Sequence, residues 1–153
     1  ITLAEPDDSL TEIRAASRAR WGIETLIIGR DSFAFVEVIK RLQAGAALAI
    51  AIDRPTERSD GRVELFGEPF AAPTAAAELA RASGCALVGA TIVRHPKGFA
   101  AKVLPEFTYD RQALGSREAR RELTQHILRA FEPEIRNHLG QWYQFVPIWP
   151  QDQ

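Results

Sequence analysis

Residues 46–53 read AALAIAID, and this run constrains the fold more than any other stretch. Its five residues 48–52 (LAIAI) offer no polar side chain to either face. A strand that is apolar on both faces belongs inside a sheet covered by helices on two sides, the setting of parallel strands. The run stops at a carboxylate, Asp53. Open α/β sheets bind ligands beyond the carboxyl ends of their strands. Position alone therefore makes Asp53 a candidate site residue.

The neighbouring segments extend this reading. Residues 24–28 (ETLII) form a short apolar run broken by Gly29. Ser32 is placed to cap a helix carrying Phe35, Val36, Ile39 and Leu42 and ending at Gly45. Strand, helix and strand across 24–52 predict a βαβ unit with a right-handed crossover. Upstream, Ser9 and Glu12 have the spacing of a capping box. Leu10, Ile13, Ser17 and Trp21 continue at helical spacing to a C-cap at Gly22.

Downstream, Arg54, Arg58 and Arg62 stud a polar loop, and 63–66 is short and extended. Pro73 and Thr74 open a small alanine-rich helix over 75–83, closed by Gly84. Residues 85–94 predict a buried strand, 95–98 a turn, and 99–104 an antiparallel return. Ser116 caps the longest helix, with Leu123, Ile127, Leu128, Phe131 and Ile135 on one stripe. Pro133 lies inside that pattern and is expected to kink or restart it. The tail 141–149 (QWYQFVPIW) is too apolar to be left in water and is expected to pack on the body. The fold class is α/β: a mixed, mostly parallel sheet flanked by helices, forming one domain over 1–153.

Composition removes several function classes. A net charge of −1 gives no global attraction to nucleic acid. One cysteine cannot form an internal disulfide. No apolar run reaches the roughly 18 residues of a membrane span, and no basic-then-apolar leader opens the chain. The chain contains no methionine, so Ile1 is not expected to be the natural start. The reading is of a piece whose N-terminal part is missing.

Each candidate for chemistry has a structural counterpart. Asp53 can orient a substrate hydroxyl or an arginine, or form a turn through a local backbone bond. Arg54, Arg58 and Arg62 can pair with phosphate or carboxylate, or with Glu57, Asp60 and Glu64 in a solvated loop. Arg18 and Arg20 sit where a helix C-terminus favours cations. Thr74 reads as a helix cap and Cys85 as an inert thiol. His95, His126 and His138 are scattered, without a metal-ligand spacing. The chain has no Gly-x-Ser-x-Gly elbow, phosphate-cradling loop or dinucleotide fingerprint.

Taken in order, a longer pattern emerges. It runs through Arg20; Leu42-Gln43-Ala44-Gly45; Asp53; Phe66-Gly67; Pro73-Thr74; and Ala80 through Gly84. It continues with Arg94, Pro96-Lys97-Gly98, Leu104-Pro105, Glu132 through Arg136, and Gln141-Trp142. This ordered set resembles the C-terminal portion of the late acyltransferases of lipid A biosynthesis, relatives of the glycerolipid acyltransferases. Arg54 stands where that family often has glutamine after the aspartate. Residues 145–149 stand where it usually has basic residues.

The resemblance implies a glycerolipid acyltransferase-like fold. It implies transfer of an acyl group from acyl-CoA or acyl-carrier protein to a hydroxyl of a membrane (glyco)lipid, such as a lipid A precursor. It implies no cofactor beyond the acyl donor. Its site residues map to Arg20 for oxyanion or phosphate contact, Asp53 and Arg54 as site walls, and Thr74 in support. It places the parent protein at the cytoplasmic face of a bacterial inner membrane, anchored through the missing N-terminal segment. The family's catalytic signature is a histidine followed five residues on by aspartate or glutamate. Here His95, His126 and His138 are followed at that spacing by Ala100, Phe131 and Tyr143, so no catalytic residue is assigned within 1–153. A non-catalytic lipid- or partner-binding module reusing the fold is the alternative.

Overall fold

The computed structural model describes residues 2–3, 8–28, 33–55, 61–144 and 147–149. It is a mixed α/β structure in two compact units, 1–50 and 51–153. The strand break at Gly29, the cap at Ser32, and the loop residues Glu57, Arg58 and Asp60 lie outside the described residues.

In the first unit, β1 (Thr2–Leu3), α1 (Asp8–Ala19) and β2 (Ile27–Ile28) make a parallel pair joined through a helix, with Thr2 opposite Ile27. A βαβ unit therefore forms, but one step earlier in the chain than the sequence suggests. The helix α1 begins at Asp8, so Ser9 lies within its first turn rather than at its N-cap. At its other end the Gly22 N–H bonds Ala19 O and the Ile23 N–H bonds Arg18 O, the paired bonds of a Schellman motif. The helix α2 (Phe33–Gln43) ends the same way, through Gly45 to Leu42 O and Ala46 to Arg41 O.

The expected stripes are only partly buried. Leu10, Ile13 and Trp21 are exposed, and so are Phe35 and Val36. On α2 the covered row is Ala34, Val38 and Leu42, spaced i, i+4 and i+8, and Phe35 and Val36 fall off that row. Arg41 bonds both Glu24 and Glu37, which holds its guanidinium above its usual pKa.

The expected strand at 48–52 joins no ladder. Leu48, Ile50 and Ile52 are half-buried while Ala49 and Ala51 are exposed, so the run alternates as an extended segment does. The mostly parallel sheet is likewise not what the described residues form. Their pairings are the two-residue parallel pair and two antiparallel hairpins. Two-residue turns close antiparallel pairs locally, whereas parallel neighbours need a long crossover and a non-local partner.

The second unit begins with the first hairpin, β3 (Gly61–Leu65) and β4 (Glu68–Ala72), paired Leu65 to Glu68 across the turn Phe66-Gly67. The helix α3 (Ala75–Ser83) follows and ends at Gly84, whose N–H bonds Ala80 O. The second hairpin is β5 (Val88–His95) and β6 (Gly98–Glu106), with a bulge between Val88 and Ala90. A 3₁₀ turn, Ala113–Gly115, leads into α4 (Arg117–Asn137). Ser116 caps α4 as expected, its hydroxyl accepting from the Ala119 N–H at 3.0 Å. The helix is continuous through Pro133 rather than restarting there.

The core of this unit is Val63, Leu65, Phe70, Ala72 and Leu128, that is, the first hairpin against α4. Ile52, Phe66, Trp142, Ile148 and Trp149 pack on it, so the described part of the tail is docked, as its composition requires. Two glutamines finish the strand edges. Gln125 of α4 accepts from the Glu64 N–H at 2.7 Å and donates to Glu64 O at 2.9 Å. Gln141 does the same for Arg94, at 2.7 and 3.1 Å. A side-chain amide has one donor and one acceptor face and can satisfy a strand residue as a neighbouring strand would.

Candidate substrate-binding site around Asp53

Asp53 sits in a bend after the apolar run, half-buried. The sequence leads to an arginine or a backbone N–H as its partner. The structure supplies a different donor: the Trp142 indole N–H bonds Asp53 Oδ2 at 2.8 Å. The Gln144 side-chain amide donates to the Asp53 carbonyl at 2.6 Å. Carboxylate and backbone are thus both fixed from the tail. An ionised acceptor makes such a bond stronger than a neutral pair.

Trp142 is in turn held by aromatic neighbours. Its ring meets Phe66 edge to face, with centroids 6.0 Å apart, and Trp149 at 6.5 Å. Phe66 is the residue that makes this arrangement possible. In the β3–β4 turn both central residues have positive φ, 58° at Phe66 and 88° at Gly67, the two-residue turn whose twist suits a hairpin. Glycine adopts that conformation freely, but a bulky side chain does so at a cost of about 1–2 kcal/mol. Three contacts offset it. The Phe66 N–H donates to Glu132 Oε1 at 3.0 Å. The Arg136 guanidinium lies 5.3 Å from the ring centroid. The third contact is Trp142 itself. Glu132 and Arg136 are i and i+4 on α4, so one helix face presents both to one turn.

The cluster therefore unites four pieces that lie far apart in sequence: Asp53, the Phe66-Gly67 turn, Glu132 with Arg136, and Gln141-Trp142. The last pair spans two elements, because Gln141 closes the Arg94 edge while Trp142 reaches Asp53. Chemically the arrangement offers a fixed, half-buried carboxylate against an aromatic cluster, and the Phe66 ring of that cluster carries a guanidinium. It can accept a hydrogen bond from a hydroxyl and steer an anion.

The other predicted site residues are not drawn into this cluster by any described bond. Arg54 follows Asp53 and is exposed. Thr74 is half-buried at the N-cap position of α3, yet its side chain makes no cap bond, against the sequence reading of a cap. Arg20 belongs to the first unit, exposed just after α1, its N–H on Ala16 O. Cys85 is half-buried and precedes β5 rather than opening it. His126 stacks edge to face on Phe107, His95 ends β5, and His138 caps α4. Among the described residues no group of three or more His, Cys, Asp and Glu side chains is placed to hold a metal ion.

Phe66, Glu132, Arg136 and Trp142 stand in the ordered sequence pattern as separate pieces, and nothing in the sequence joins them as one group. The i, i+4 spacing of Glu132 and Arg136 was available as a signal, but nothing local names their common target. A model of the bacterial lipid A biosynthesis acyltransferase family matches residues 3–151. No curated protein matches the chain.

Proposed function

The chain belongs to the bacterial lipid A biosynthesis acyltransferase family, and from that premise we propose that the cluster around Asp53 is part of its acceptor site. The reaction moves an acyl group from the thioester of acyl-CoA or acyl-carrier protein to a hydroxyl of a membrane (glyco)lipid such as a lipid A precursor. The hydroxyl oxygen bonds the acyl carbon, the carbon–sulfur bond breaks, and the hydroxyl proton passes to a base. Apart from the donor, no cofactor takes part.

One observation carries this reading. Four pieces of the ordered pattern, at Asp53, Phe66, 132–136 and Trp142, meet in space, with the bond from Trp142 to Asp53 at their centre. In this reading Asp53 accepts from the acceptor hydroxyl or a sugar hydroxyl. Arg54 and Arg136 attract phosphate on the lipid, Thr74 supports the wall, and Arg20 contacts the oxyanion or a phosphate. Positioning of this kind is worth a large share of a bimolecular barrier. The chain is read as a single glycerolipid acyltransferase-like domain with a mostly parallel sheet.

No described helix is long and apolar enough to cross a membrane. These residues are read as working peripherally, at the cytoplasmic face of the inner membrane. The general base is assigned outside 1–153, because no histidine here carries the partnering carboxylate at the family spacing. A positioned base typically contributes about 10²–10⁴-fold. That same absence favours a second reading, a non-catalytic lipid- or partner-binding module reusing the fold.

One experiment separates the two. The 153-residue chain and the complete product of its gene are assayed with labelled acyl-CoA and acyl-carrier protein donors and lipid A precursors. The enzyme reading expects transfer by the complete product and none by the 153-residue chain. Binding of the precursor without transfer by either supports the module. Equal turnover by both places the base within these residues and overturns the assignment.

A further inference from the structure

The β5–β6 hairpin carries a surface that the fold itself leaves unused. Alternate residues of a strand face opposite ways. One face turns to α4: a Cβ on Gly89 would lie 2.8 Å from Phe131 Cζ, and Lys102 Nζ bonds Glu134 Oε1 at 2.5 Å. The other face is apolar and open. Val88, Ile92, Phe99 and Val103 on it are 58%, 71%, 75% and 66% exposed, with Ala90 and Ala101 between them. The register sets Ala90 opposite Val103, Ile92 opposite Ala101 and Arg94 opposite Phe99, so these side chains form one continuous surface. A contiguous apolar patch of this kind, on the order of several hundred Å², marks an interaction site on a soluble fold.

Charge indicates the occupant. At the turn end the face is rimmed by Arg94, His95 and Lys97, all exposed. The one acid in 88–106 is Glu106, at the far end, and Lys102 is on the other face with Glu134. An aromatic ring beside long basic side chains suits the headgroup level of a bilayer. There the ring and the aliphatic stems bury while the cations stay with the phosphates.

We propose that the outer face of the β5–β6 hairpin docks the protein on an anionic lipid surface, its cationic turn at the headgroups. The proposal rests on the reading that the acceptor is a membrane lipid. It adds the surface by which the protein reaches that lipid.

The test is flotation of the purified 153-residue chain with vesicles of phosphatidylglycerol and phosphatidylcholine, against phosphatidylcholine alone, with sedimentation velocity run in parallel. The chain is expected to float with the anionic vesicles and to be released by salt. Arg94→Gln with Lys97→Gln should weaken partition roughly tenfold or more. Ile92→Glu with Phe99→Glu should abolish it. These side chains are exposed, so all variants should keep the wild-type melting curve. Equal binding to neutral vesicles, or none to anionic ones, overturns the proposal. So does unchanged binding by both variants, or a dimer that Ile92→Glu disrupts, which would assign the face to a second copy. Loss of vesicle binding with transfer to detergent-solubilised acceptor intact in the complete product counts against this inference alone. Loss of transfer with vesicle binding intact counts against the proposed function alone.

Discussion

The indole N–H of Trp142 bonds the carboxylate of Asp53 at 2.8 Å across 89 residues of sequence. This bond makes the tail a structural part of the candidate site. Closing so long a loop costs entropy that a single hydrogen bond does not repay. Trp142 meets the cost by also packing on Phe66, Trp149 and the hairpin core.

Trp142→Phe keeps most of that packing and removes the donor. It should destabilise the protein by about 1–2 kcal/mol, the range for a bond to a charged group that is only half-buried. Trp142→Ala should cost about 3 kcal/mol or more and release the tail. Urea unfolding and limited proteolysis beyond Gly140 check both. A Phe variant as stable as wild type would show that the bond contributes nothing.

The left-handed backbone at Phe66 reverses a usual ranking. Glycine normally destabilises relative to alanine, but here alanine keeps the penalty of φ 58° and loses the ring, whereas glycine loses only the ring. Phe66→Gly should therefore be more stable than Phe66→Ala by about 1 kcal/mol, with both below wild type. Chemical denaturation of the pair measures the difference. The opposite order would mean that the turn relaxes when the ring is lost.

Gly89 is required for a close approach rather than for its φ. An added Cβ would meet Phe131 Cζ at 2.8 Å and Leu104 Cδ1 at 2.9 Å. Gly89→Ala should cost about 1–3 kcal/mol by overpacking. Shortening the opposing side chain with Phe131→Leu should recover part of that loss in the double variant, a coupling that a thermodynamic cycle detects. Strictly additive effects would contradict the contact.

Tyr109 gives a pH dependence. Burial, with Cys85 nearby, pushes its phenol above the usual value of about 10, and its hydroxyl donates to Cys85 O at 2.5 Å. The folded state thus holds this proton more tightly than the unfolded chain. Its contribution is fully present below pH about 10 and is lost as pH rises through the folded value. Stability measured across alkaline pH should fall more steeply for wild type than for Tyr109→Phe. Parallel curves would rule the group out.

Much of the helical structure was legible in the sequence because its signals are local. Ser116 caps α4 and Gly22, Gly45 and Gly84 close their helices, each within a few residues of its partner groups. The strands were less legible. Residues 48–52 are apolar enough for a buried parallel strand, yet composition does not name a neighbouring strand, and the sheets of the described residues do not include them. The candidate site followed the same division. Asp53 became a candidate from its place after that run, and the structure puts it in a bend rather than at a strand end. Its partner Trp142 was not, because an indole is an ordinary core residue until a carboxylate is set against it. Thr74 shows the converse, a residue in the cap position whose hydroxyl does not cap.

The most direct test of the account is the rate of acyl transfer by the complete gene product carrying Asp53→Asn. Asparagine keeps an oxygen for the Trp142 indole and so should keep the fold. It removes the charge offered to the acceptor. The account predicts a fall of roughly 10–100-fold in kcat/KM for the lipid acceptor, the cost of losing a hydrogen bond to a charged group. The melting temperature should change little. Wild-type kcat/KM in that variant would contradict the assignment of Asp53 to the acceptor site.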